Sequence, residues 1–89
     1  MDNSEIVNFF RGLGFDVKDQ VRVISGFLIF NDKSFVFFLD AQEKILNFEY
    51  KKGYARRDLI FQQKFTSISE LKNLIENNQV YSNMDIATL

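Results

Sequence analysis

Ile6, Phe9, Phe10 and Leu13 recur at i, i+3, i+4 and i+7, the spacing that lines up one stripe of a helix with 3.6 residues per turn. Asp2 followed three positions later by Glu5 has the form of a capping box. The stripe stops at Gly14, where the residue past a helix end takes a left-handed conformation, and Phe15 just beyond it is placed to close over Phe10. These signals predict a first helix from Asn3 to Leu13. A second is predicted within "TSISELKNLIENN", residues 66–78. There Ser67 and Glu70 repeat the capping-box spacing, and Ile68, Leu71, Leu74 and Ile75 form the stripe.

Between the helices the period changes from helix to strand. "VRVISGFLIF", "FVFFL", "KILNFEY" and "ARRDLIFQQKF" are short runs rich in β-branched and aromatic residues, and they read as four strands. "NDKS" and "DAQE" carry turn chemistry, and Gly53 in "EYKKGYA" sits where a hairpin loop needs positive φ. "DVKDQ" reads as a lead-in, with Asp16 and Asp19 as exposed turn residues. Residues 79–89 read as a tail or a short extra strand. The predicted fold is one small α+β domain over residues 1–89, a helix, a four-stranded antiparallel meander and a helix.

If the turns at Asn31-Asp32 and Ala41-Gln42 close with an even number of residues, alternation assigns every strand residue to a face. One face carries Ile24, Leu28, Phe35, Phe37, Leu39, Leu46 and Phe48, and the other carries Val23, Phe27, Ile29, Val36, Phe38 and Ile45. A sheet with one face in water alternates apolar and polar residues, whereas this meander reads as apolar on both sides. Two short helices cover both faces only by splitting. Otherwise they share the first face and leave the second to a partner subunit, a target protein or the C-terminal tail. Gly26, inside a strand, is expected to let an aromatic such as Phe37 lie over the sheet.

Composition narrows the chemistry. The chain has 89 residues, 46% of them hydrophobic, with 11 phenylalanines and no cysteine, histidine, proline or tryptophan. Disulfides and thiolate metal sites are excluded, so folding rests on apolar burial. Without histidine the commonest general base and metal ligand is missing, and no catalytic residue, metal site or cofactor is expected. A net charge of −1 provides no overall field toward nucleic acid or an anionic membrane. No apolar run reaches the roughly 18 residues of a membrane span, and "MDNSEIVNFF" lacks the basic start of a signal peptide. A cytoplasmic location without membrane contact is expected.

Four of the 11 basic residues fall in "KKGYARR". Lys51, Lys52, Tyr54, Arg56 and Arg57 form a basic hairpin, with the two lysines expected at its tip and Glu49 and Asp58 flanking. Such a cluster offers phosphate or an acidic groove a landing point, but single-strand binding needs a longer charged stripe with spaced aromatics. "EYK", Glu49 to Lys51, raises an enzymatic alternative. Preceded by Glu5 on a helix and by Asp32, it resembles the PD-(D/E)xK nuclease core, which implies acids holding Mg²⁺ and a lysine activating water. Acid-x-Lys also occurs at Asp16 and at Glu70, and the helix that follows that family's third strand is replaced here by another strand.

The expected function is a non-catalytic protein-binding module of the inhibitor or adaptor type, acting through Val23, Phe27, Ile29, Val36, Phe38 and Ile45 and through the basic hairpin. Its partner is another protein or a second copy of itself. A composition rich in Asn, Lys, Ile and Phe suits an AT-rich bacterial, phage or mobile-element genome. Nucleic-acid binding through the hairpin ranks second and the Mg²⁺-dependent nuclease third.

Overall fold

The computed structural model describes residues 1–30, 33–52 and 58–77. Among them lie two helices and five strands: α1 (Asn3–Gly12), β1 (Asp16–Asp19), β2 (Val23–Phe30), β3 (Lys33–Asp40), β4 (Ile45–Lys52), β5 (Asp58–Lys64) and α2 (Ile68–Asn77). The strands form one sheet in the order β1-β2-β3-β4-β5, every neighbour antiparallel. The α+β meander between two helices is therefore present, with five strands where the sequence predicts four. Among the described residues no helix is long and apolar enough to cross a membrane.

The added strand, β1, comes from the segment read as a lead-in. Asp16 and Asp19 are strand residues, paired with Phe27 and Ile24. Only Val17 of its four residues is buried, so no apolar alternation marks it. A short, charged edge strand is also what discourages further strands from adding to the sheet. Val21 and Arg22, predicted inside a strand, instead form the β1–β2 turn. Val21 adopts φ 70°, a left-handed conformation that is an outlier for a β-branched side chain. It is held from both sides: the Asp19 carboxylate accepts from the Val21 N–H at 2.9 Å, and the Asn3 amide donates to the Val21 carbonyl at 2.8 Å.

Both helix ends follow their sequence signals. Asp2 caps α1 by accepting from the Glu5 N–H at 3.0 Å. At the other end the Gly14 N–H donates to Arg11 and the Phe15 N–H to Phe10, at 2.9 and 3.1 Å. With Gly14 at φ 98°, this is the paired hydrogen-bond pattern of a Schellman ending. In α2 the Glu70 N–H donates to the Ser67 hydroxyl at 3.1 Å, while the Glu70 carboxylate accepts from the Thr66 N–H at 2.6 Å. The box thus closes one residue earlier than the usual reciprocal pair.

The register confirms even-numbered turns. Phe30 pairs with Lys33 and Asp40 with Ile45, so two and four residues intervene and the alternation carries through β2, β3 and β4. Ile24, Phe35, Phe37, Leu39, Leu46 and Phe48 are buried together with Ile6, Val7 and Phe10 of α1 and Leu71 and Ile75 of α2, in one core. Both helices therefore pack on the same face. Phe10 stacks on Phe37 with ring centroids 3.8 Å apart and planes 17° from parallel, and Phe15 meets the edge of Phe37 at 5.4 Å. The chain of rings continues across the sheet through Phe48 to Phe61.

Gly26 makes room for this stack. A Cβ there would lie 2.6 Å from the Phe37 ring and 2.8 Å from the Asp16 carbonyl oxygen, closer than real contacts allow. Gly26→Ala is expected to destabilise the fold by about 1–3 kcal/mol through overpacking, read as a fall in Tm of roughly 4–8 °C per kcal/mol for a domain of this size. An unchanged Tm would show that Phe37 moves aside freely. In the opposite direction, Val21→Asn should raise stability by about 1 kcal/mol by relieving the left-handed valine, since the side chain is exposed and loses no core contact.

Two surface carboxylates tie stability to pH. The Glu5 N–H, and after it the Ser4 hydroxyl, hold the Asp2 carboxyl below its ordinary range. For Asp40 in the β3–β4 turn the N–H of Glu43 is the main cause, with that of Gln42 beside it. A carboxyl lowered on folding adds stability above its unfolded pKa, and this is lost as pH falls through the folded value. Asp2→Ala and Asp40→Ala should therefore lower the urea midpoint at neutral pH, with the gap from the parent closing below about pH 4. A gap of constant size down to strong acid would rule out ionisation as the source.

Candidate functional site

With both helices on one side, the opposite face of the sheet has no covering element among the described residues. Alternation along the strands sets its cross-strand rows. Asp16, Phe27, Val36 and Glu49 make one row, and Lys18, Ser25, Phe38 and Asn47 the next. Beyond the first row lie Ile29 and Ser34. Beyond the second lie Val23, Asp40 and Ile45. All six apolar residues expected on the second face are on it. Val23, Phe27, Ile29 and Phe38 are 41%, 47%, 66% and 43% exposed, and Val36 and Ile45 are half-buried.

The face is not apolar throughout. Its grease is concentrated on β2 and β3, with Ile45 at the start of β4, while Asn47 and Glu49 continue β4 in polar residues. None of the six is fully exposed, because cross-strand neighbours such as Phe27 and Val36 cover each other's flanks. What remains is a strip of moderate size, within the range that functional patches on monomers reach.

An open hollow of about 500 Å³ lies on this strip, lined by Asp16 and Lys18 of β1, Ser25 and Phe27 of β2, and Val36 and Phe38 of β3. Its floor is low because Ser25 has a short side chain there, with the backbone of Gly26 beside it. Phe27 stands at its rim, half-exposed. The hollow thus combines apolar walls with one carboxylate and one ammonium, a setting for an apolar side chain with polar groups around it. The sequence pattern indicates the apolar members. The hollow itself depends on β1 joining the edge, and the missed strand therefore hid Asp16 and Lys18 from the sequence reading.

The basic hairpin is described only in part. Lys51 and Lys52 belong to β4, where their backbones pair with Ser34 and Lys33 of β3, beyond the last pair between β4 and β5 at Tyr50 and Asp58. Tyr54, Arg56 and Arg57 lie outside the described residues. The nuclease-like constellation is not assembled. Glu49 follows Phe48, whose side chain is in the core, and faces away from the helices, whereas Glu5 is on α1 against the other face. Asp32 lies outside the described residues. No group of three or more Asp and Glu side chains placed to hold a metal ion occurs among the described residues. A second, smaller hollow between β5 and α2 is lined by Gln63, Lys64, Glu70, Asn73 and Leu74. Its one carboxylate already accepts from the Thr66 N–H.

Comparison with known protein families, with curated proteins and with solved structures finds no match to the chain.

Proposed function

We propose that the chain is a cytoplasmic, non-catalytic protein-binding module of the inhibitor or adaptor type, and that it works through the helix-free face of its sheet. One observation carries this reading. Four large apolar side chains, Val23, Phe27, Ile29 and Phe38, stay between 41% and 66% exposed on a single face, while the core is complete on the other. Water contact at these positions forfeits burial energy of roughly 25 cal/mol per Å². A protein partner that covers the strip recovers it.

The form of the strip suits a protein better than a small ligand. It is open and shallow, with apolar residues at its centre and Asp16, Lys18, Asn47 and Glu49 around them, the arrangement of a protein interface with a polar rim. The strained, exposed Val21 stands in the turn at the same end of the sheet as Val23. Strain of this kind persists where the surrounding structure enforces it, and it is often found at sites of function.

Photo-crosslinking tests the reading directly. A photoreactive phenylalanine replacing Phe38 or Ile29 in the full chain should form covalent adducts with protein in cells, and the same group replacing Asn73 on α2 should not. The adducts should disappear when Phe27→Asp is added. Absence of adducts from the sheet positions, or equal adducts from Asn73, would remove the face from consideration as a binding surface.

A further inference from the structure

We propose that the occupant of the helix-free face is a second copy of this chain, packed face to face about a two-fold axis that lies in the interface, perpendicular to the strands, between the Phe27 row and the Phe38 row. This rests on the protein-binding reading above and names its partner. The inference comes from the order of residues along each strand. A two-fold axis in that position exchanges the two central rows and exchanges the rows outside them, so each strand meets its own counterpart running the other way.

That operation makes β1, β2 and β3 complementary to themselves, while on β4 Glu49 faces Asn47 and Ile45 faces the Lys51 position. On β1, Asp16 of each copy faces Lys18 of the other, and both charges gain a partner of opposite sign. On β2, Phe27 faces Ser25, so the projecting ring of one copy enters the hollow over Ser25 and Gly26 in the other. Val23 faces Ile29 at the two ends of the same strand. On β3, Val36 faces Phe38. The pairings follow from the register alone, and no like charges on β1 are brought together. An axis parallel to the strands keeps the rows and reverses the strand order: between β2 and β3 it sets Asp16 over Glu49, two carboxylates together, and on β3 it sets Phe27 over the Glu49 position. The latter buries an apolar ring against a carboxylate, and both leave the β1 charges without each other.

Size and charge agree with such a pair. Strands about 4.8 Å apart with residues about 3.3 Å along each outline a five-stranded face of roughly 600 Å². Two such faces remove at most roughly 1,200 Å² from water when covered edge to edge, and less where contact centres on β2 and β3, which places the pair among small interfaces. The sheets are expected to cross at about 30°, as twisted sheets do when they pack face to face, which keeps the closest contact at β2 and β3 where the apolar side chains are. A net charge of −1 per chain adds almost no repulsion between copies.

Sedimentation equilibrium of the full chain from about 1 µM to about 500 µM brackets the affinity expected of an interface this small. The chain should pass from monomer to dimer within that range. Phe27→Asp should leave it monomeric throughout, with an unchanged far-ultraviolet spectrum showing that it still folds. Asp16→Lys alone sets like charges opposite each other twice and should weaken the dimer about tenfold. Combining Asp16→Lys with Lys18→Asp should restore the dimer to nearly its original affinity, a result that only the exchange of these two positions predicts. A dimer that survives Phe27→Asp, or one that the double reversal fails to rescue, overturns the proposed pairing. A wild-type chain that stays monomeric also overturns it. If that monomer still crosslinks to a different protein through Phe38, the binding reading stands with another partner, and if it crosslinks to nothing both fall.

Discussion

The ring of Phe37 lies between the ring of Phe10 and the bare backbone of Gly26, and the rest of the molecule is arranged around that contact. The stack at 3.8 Å ties α1 to the centre of the sheet. It is possible because the strand beneath carries no Cβ at the point of closest approach. Phe15, brought back over Phe10 by the Schellman ending, meets the edges of Phe37 and Phe48, so one helix terminus and two strands share a single aromatic cluster. Aromatic pairs of this kind add directional preference to their burial. The cluster leaves α2 only the remaining area of the same face, where Leu71 and Ile75 close the core.

Once both helices are committed to that face, the other face depends on the sheet alone. Its exposed phenylalanines and aliphatics are sheltered sideways by their cross-strand neighbours but have nothing above them among the described residues. A sheet in this state is an incomplete layer, since stable domains place a second layer over each apolar face. The face-to-face pair of chains would complete it symmetrically, with the sheets inside and the helices outside. The core and the binding surface are thus two sides of the same strands, and residues that alternate along β2 and β3 serve one or the other by parity alone.

Much of the candidate site was legible because parity is a local property. Val23, Phe27, Ile29, Val36, Phe38 and Ile45 could be grouped from the turn lengths and the period of two. Asp16 and Lys18 could not be added, because β1 has one buried residue and its pairing with β2 is an edge contact that no run of apolar residues announces. The pairing of Lys51 and Lys52 with β3 was hidden for a related reason. The glycine of "KKGYARR" suggested a tip that begins at the lysines, but β4 continues through both of them, with Ser34 and Lys33 of β3 as partners. The grouping of Glu5 with Glu49 failed because order along the chain says nothing of which side of a sheet a preceding helix will take.

The sequence by itself determined the two helices and their caps, the antiparallel meander, the register of its central strands and the division of its apolar residues into two sets, because each of these follows from spacing, turn chemistry and backbone conformations that act over a few residues. Only the tertiary structure decided which set would be the core. The two sets are similar in size and hydrophobicity, so no local preference separates them. The difference arises when Gly26, Phe37, Phe10 and Phe15, distant in sequence, meet in one aromatic stack, and close packing at that point draws both helices to the same side.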